Sequence, residues 1–181
     1  MSIATEPVAL DGSTFRRVLA YVPTSVVVAS TRTEGVPVGM IVGTFTAISS
    51  DPPLVGFFGD TRSSTLDTLL AGNGIAFSLL SEDDEQVAEA FRLPLVERFA
   101  AFAWHDDEGG NPVPDAAVII VSGVVQSAEP VGDHVAVVVE VTGAQVPRAR
   151  AKPLVHFNHR LSKLVPDRSA HVDLWQLGWE I

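Results

Sequence analysis

The sequence predicts a mainly β domain, a closed or nearly closed antiparallel barrel with peripheral α-helices. Three observations predict it. Short valine-rich runs alternate with turn residues along most of the 181 residues. Few helical patterns separate them, which argues against a βαβ repeat. So many apolar strands also favour closure, because open edges pair with other chains. With 46% hydrophobic residues the chain can bury one good core. A single domain over residues 1–181 is therefore expected, its core at about 12–164 and its C-terminal tail at 165–181.

The elements follow in order. Asp11 or Ser13 caps a first helix running to about Tyr21, with Phe15, Val18 and Leu19 on one face. Strands are expected at 25–30, 36–42, 44–49 and 54–58, where β-branched and aromatic residues dominate. Between the last two, Ser50-Asp51-Pro52-Pro53 cannot extend a ladder, since proline lacks the donor and restricts its predecessor. A helix at 65–71 opens on Ser63 or Ser64, with Asp67 making a capping-box-like start, and Gly72 ends it. After a strand at 74–80, a second helix runs from Ser81 to about Phe91. Its early acids Glu82, Asp83, Asp84 and Glu85 suit the positive helix end. Residues 93–115 are the least regular, with Pro94, Pro112, Pro114 and an acidic turn, and carry a small helix at 96–102. Strands at 118–127, 134–146 and 154–157 complete the body. In the tail, Trp175 and Trp179 lie four apart with Leu174 and Leu177 nearby. That spacing suits a helical face that docks on the body or a second subunit, or aromatics that close one end of the core.

Composition excludes several functions. With 12 Lys and Arg against 22 Asp and Glu, the net charge is -10, which argues against nucleic acid or anionic membrane as a partner. Any bound polyanion needs a local basic site. The absence of cysteine removes thiolate nucleophiles, disulfides and cysteine-held metal centres. Electron transfer would then need an organic cofactor. Residues 1–7 have no signal-peptide pattern, and no apolar run approaches the ~18 residues that span a bilayer. A cytoplasmic protein is expected.

The most informative stretch runs through Gly39, Met40, Ile41, Val42, Gly43, Thr44, Phe45 and Ser49, followed by Arg62, Ser63, Ser64 and Thr65. Glycines at 39 and 43 allow close approach to the backbone, whose edge groups can hydrogen-bond a planar heterocycle. A helix start with three hydroxyls and one guanidinium suits a phosphate. The local alternative is that the serines only cap a helix and Arg62 is solvated. His134 follows Gly132-Asp133 at a tight turn, where it is either a positioning group or a turn histidine bonded to Asp133. His156-x-x-His159 lacks the Glu of HExxH and an obvious third ligand, so no metal site is expected; Arg160 or His159 suits a nucleotide phosphate instead.

The order of these segments resembles the flavin reductase family with the FMN-binding split-barrel fold. The landmarks run from Phe15-Arg16-Arg17 and Val22-Pro23-Thr24 through Gly39-Met40, Phe45, Ser49, Asp51-Pro52-Pro53-Leu54 and Arg62-Ser63-Ser64-Thr65-Leu66. They continue with Glu97-Arg98-Phe99, Gly110-Asn111-Pro112, Gly132-Asp133-His134 and Pro153-Leu154. The resemblance implies a Greek-key antiparallel barrel, and an NAD(P)H:flavin oxidoreductase that reduces FMN or FAD with NADH or NADPH. It implies transfer of reduced flavin to a partner monooxygenase, a homodimer, and contact of His134 with nicotinamide or flavin. Trp104 would wall the pocket or anchor its loop. Departures fall at Gly43-Thr44, Ser78 and His159-Arg160-Leu161, at positions tied to the nicotinamide contacts. Two other readings are a split-barrel flavoprotein that retains its flavin for another small molecule, and a non-catalytic flavin-binding module.

Overall fold

Alternation along the strands decides the architecture, because side chains at odd and even positions leave a sheet on opposite faces. In β2 (Val27–Thr33), Val27 and Ala29 enter one apolar cluster while Val28, with Val26 just before the strand, enters another. Both faces are covered, so the strand reads as a continuous apolar run.

The computed structural model describes residues 11–72 and 74–164; Trp175 and Trp179 lie outside the described residues. After α1 (Gly12–Leu19) and the short β1 (Thr24–Ser25) come β2, β3 (Val36–Val42), β4 (Thr46–Ser50) and β5 (Pro53–Asp60). Then follow α2 (Ser64–Leu70), β6 (Ile75–Leu80), α3 (Glu85–Ala90), a 3₁₀ helix (Leu95–Ala100), β7 (Trp104–Asp106) and β8 (Pro112–Pro114). The long strands β9 (Ala117–Val131) and β10 (His134–Gln145) precede the hairpin β11 (Leu154–Phe157) and β12 (Arg160–Lys163).

Seven strands form one antiparallel sheet in the order β3-β2-β6-β9-β10-β5-β4. The chain leaves β5 through α2 and returns at β6 beside β2, so neighbours in sequence are not always neighbours in the sheet. Val27, Val42, Phe57, Phe77 and Val139, drawn from β2, β3, β5, β6 and β10, share one cluster that α2 joins through Leu66 and Leu69. The sheet therefore coils around this core. Among the described residues no ladder joins the outer strands β3 and β4, so the expected closure is not made by hydrogen bonds. A second cluster on the other face joins Val28 and Leu80 to Phe91, Phe99 and Leu154.

Several boundaries differ from the expected ones for identifiable reasons. Ser81 does not open α3: it bridges Pro153, and its Oγ accepts from the Asp83 N–H at 3.2 Å, which delays the helix to Glu85. The irregular stretch contains the unforeseen hairpin β7–β8, and its small helix is 3₁₀. Strand β4 starts at Thr46, since the Thr44 hydroxyl occupies the Phe58 N–H and C=O at 2.8 and 3.1 Å. Strand β12 was not foreseen, and α1 ends at Leu19 with no buried residue.

Candidate functional site

Some of the residues singled out in sequence meet at one edge of the sheet, and others do not. Strand β3 is an outer strand, so one row of its backbone groups faces away from the ladder, as a ring-binding edge requires. Of its residues, Met40 packs against the coiled core and Ile41 against the opposite cluster. Both also line a pocket of about 400 Å³, together with Ser63 and Thr65 of the α2 start and His159. Met40, Ile41, Ser63, Thr65 and His159 are thus brought together across the fold, while Ser64 does not line the pocket.

Local chemistry sets each wall. Ser63 is the α2 N-cap, its Oγ accepting from the Leu66 N–H at 3.3 Å. The cap is thus Ser63 and not Ser64, and Asp67 lies too far along for a capping box. His159 reaches the pocket because Asn158 and His159 both take positive φ, 48° and 62°, in the two-residue turn between Phe157 and Arg160. That is type I′ geometry, which suits the twist of an antiparallel hairpin. The turn is tied down where the Asn158 N–H donates to the Ala20 carbonyl at 2.7 Å. Arg160 does not line the pocket.

Gly39, Val42, Gly43, Thr44, Phe45 and Ser49 do not line this pocket. A Cβ on Gly39 would lie 3.0 Å from the Ala29 carbonyl oxygen and 3.1 Å from the Phe99 ring, so what approaches its backbone closely is the neighbouring strand and an aromatic side chain of this chain. Gly43 lies close to the Thr24 hydroxyl. Val42 is buried, and Phe45 stacks on Phe77 with ring centroids 4.9 Å apart. The Ser49 hydroxyl accepts from the Asp51 N–H at 3.2 Å.

Arg62 and His134 form a second group, at the β5 end and the β9–β10 turn. Arg62 grips Asp60 with two bonds, Nε to Oδ1 at 3.0 Å and Nη2 to Oδ2 at 2.7 Å, and its side chain is 84% exposed. These bonds hold the Asp60 carboxyl well below the usual carboxylate range and raise the Arg62 pKa. His134 stands opposite Asp60 in the ladder, and its Nδ1 lies 2.7 Å from Asp133 Oδ1. That bond lowers the Asp133 pKa. The turn is closed by Thr61, whose N–H and hydroxyl both donate to the Asp133 carbonyl.

Arg92, Arg98, Glu89 and His156 also line the pocket, and no local pattern marks the first three as site residues, while His156 stands out only in the His-x-x-His spacing. Arg92 pairs with Glu89 at 3.2 Å. Only the landmark Glu97-Arg98-Phe99 pointed to any of them. Trp104 anchors its loop: its Nε1–H donates to the Phe99 carbonyl at 2.9 Å, and Arg32 stacks over its ring. Among the described residues no group of three or more ligating side chains could hold a metal ion. No helix there is long and apolar enough to cross a membrane.

A coiled antiparallel sheet whose outer strand carries a pocket with an apolar wall, hydroxyls and cations defines the class, a mainly β domain with a mixed polar and apolar cleft at its edge. The family follows directly: residues 19–164 match the flavin reductase like domain, and the chain belongs to that family. It is similar to the HsaB reductase subunit of a flavin-dependent monooxygenase from Mycobacterium tuberculosis, 28% identical over 161 residues, covering 88% of this chain and 86% of that protein. A flavin reductase of Pseudomonas putida is 30% identical over 139 residues, 76% of this chain and 82% of the relative. The structure of the Streptomyces globisporus NADH:FAD oxidoreductase SgcE6, in complex with NAD and FAD fragments, superposes with a TM-score of 0.84 at 28% identity. It covers 91% of this chain and all of that one. The chain is accordingly a flavin reductase, an oxidoreductase that uses a flavin and a nicotinamide nucleotide.

Proposed function

We propose that this flavin reductase binds FMN or FAD at the β3 edge, reduces it with NADH or NADPH, and releases the reduced flavin to a separate oxygenase. The observation that carries this reading is the pocket itself, which unites Met40, Ile41, Ser63 and Thr65 from two segments with His159 from a third. An apolar wall beside hydroxyl donors fits an isoalloxazine with a phosphorylated tail. Relatives named as monooxygenase reductase subunits support the transfer step.

Bound together, the two cofactors supply hydride transfer from nicotinamide to flavin, so no side chain has to act as nucleophile or essential acid. The chain's task is to bind, align and shield. Met40 and Ile41 offer the ring an apolar face. Ser63, Ser64 and Thr65 present hydroxyls at the α2 start, where Arg62 joins them by exchanging Asp60 for a phosphate. His134, oriented by Asp133, aids positioning of the nicotinamide or the flavin edge. The exposed apolar face of α1, with Phe15, Val18 and Leu19, supports a homodimer.

A steady-state assay crossing NADH and NADPH with FMN, FAD and riboflavin tests the activity. Oxidation of the nicotinamide should depend on added flavin and saturate with it. Oxidation that ignores free flavin, with the protein itself remaining yellow, would instead describe a flavoprotein that retains its cofactor.

A further inference from the structure

Arg98 is the pocket cation with the least ordinary surroundings. It is half-buried on the 3₁₀ helix Leu95–Ala100, and both bonds it makes go to backbone carbonyls. Nε donates to Leu93 at 3.1 Å and Nη1 to Gly39 at 2.9 Å. Neutral carbonyls orient a guanidinium without cancelling its charge. No described carboxylate forms an ion pair with it, whereas Arg62 and Arg92 are paired with Asp60 and Glu89. Among the described residues its Nη2 has no hydrogen-bond partner, yet the side chain lines the same pocket as Ser63, Thr65, His156 and His159. The chain carries a net charge of -10. An unneutralised, half-buried guanidinium is unusual in such a protein, and charge-assisted bonds from a fixed arginine fork are both strong and geometrically selective.

We propose that Arg98 is the pocket's phosphate anchor, held in place by the Leu93 and Gly39 carbonyls so that Nη2 takes a phosphoryl oxygen of a nucleotide substrate. This rests on the reading that the pocket binds nucleotides. Because the guanidinium is already oriented, little side-chain freedom is lost on binding. Arg62, exposed and paired, has first to give up Asp60.

The test compares each nucleotide with its unphosphorylated partner. For wild type, Arg98→Lys and Arg98→Gln, affinities are measured for FMN against riboflavin, and for the preferred reduced nicotinamide dinucleotide against dihydronicotinamide riboside. The phosphorylated member of one pair should weaken about tenfold or more in Arg98→Gln, its partner staying unchanged, with Arg98→Lys intermediate. A split in the flavin pair assigns the phosphate to flavin; a split in the other pair assigns it to the nicotinamide nucleotide. Equal losses in both members of a pair would reduce Arg98 to a packing residue, and no loss in either pair would remove it from binding. Should Arg98→Gln not fold, competitive inhibition by inorganic pyrophosphate must weaken in Arg98→Lys, and unchanged inhibition overturns the proposal. Ala88→Phe, which narrows the same pocket, separates the two levels. If it weakens binding while the Arg98 variants do not, only the anchor fails. If it changes none of the four affinities, the pocket reading fails as well.

Discussion

At the scale of single residues, most contacts that could be read from sequence lie within a few positions of each other. Asp11 accepts from the Thr14 N–H at 2.7 Å and from the Ser13 hydroxyl at 2.8 Å, as a helix cap should. The Thr14 N–H, with Ser13, lowers the Asp11 pKa to about 2, against an ordinary value of about 3.9. A carboxyl whose folded value is depressed stabilises the fold above its unfolded pKa and loses that contribution as pH falls through the folded one. Protection of the Thr14 amide should therefore decline between about pH 4 and pH 2, seen by amide exchange. Asp60 and Asp133 shift in the same direction. The bond of His134 to Asp133 was equally legible, being a contact between neighbours. The grip of Arg62 on Asp60 was not anticipated, although the two are only two residues apart. Once that grip is exchanged for a phosphate, Arg62→Ala should weaken FMN binding by roughly three- to tenfold, the modest size expected of an exposed charge. Fluorescence titration reads this, and unchanged affinity would remove Arg62 from the site. Arg98 escaped assignment because its partner Gly39 lies 59 residues away.

Among the elements, legibility followed length and alternation. Strands β3, β5, β6, β9 and β10 lie close to their expected positions, since apolar runs of six or more residues carry a clear signal, and the four-residue β11 matches as well because Leu154-Val155-His156-Phe157 follows a proline. Three-residue β7 and β8 do not. Pro112 and Pro114 demote a strand in sequence, yet β8 pairs only with β7 and so can carry them. The Ser81–Pro153 bridge was equally invisible, because a contact across 72 positions overrode a local helix signal. Strand β6 shows what long-range packing contributes. Phe77 is 1% exposed and meets both Phe45 and Phe57, with centroids at 4.9 and 5.6 Å. Phe77→Ala should cost about 3–5 kcal/mol, read from the shift in a urea unfolding midpoint. A loss below about 1 kcal/mol would mean that this cluster is not the centre of the core.

Over the whole molecule, sheet curvature places the site. Coiling around the Phe57–Phe77 cluster brings the outer strand β3 against the α2 start, α3 and the β11–β12 turn, and the pocket opens where those elements meet. Sequence indicated the mainly β class and most of the strands, and family resemblance indicated the activity. Neither revealed which of Gly39 to Phe45 would line the pocket and which would fill the core, since that depends on how the sheet coils. The pocket is also a locally basic place in a chain of net charge -10. It gathers Arg92, Arg98, His156 and His159 against a single acid, Glu89. The most direct measurement is a crystal structure of the protein grown with excess FMN. The account predicts an isoalloxazine against Met40 and Ile41, with its phosphate within hydrogen-bond distance of the Ser63 to Thr65 hydroxyls or the Arg98 guanidinium. Flavin bound on another surface, with this pocket filled only by water, would contradict it.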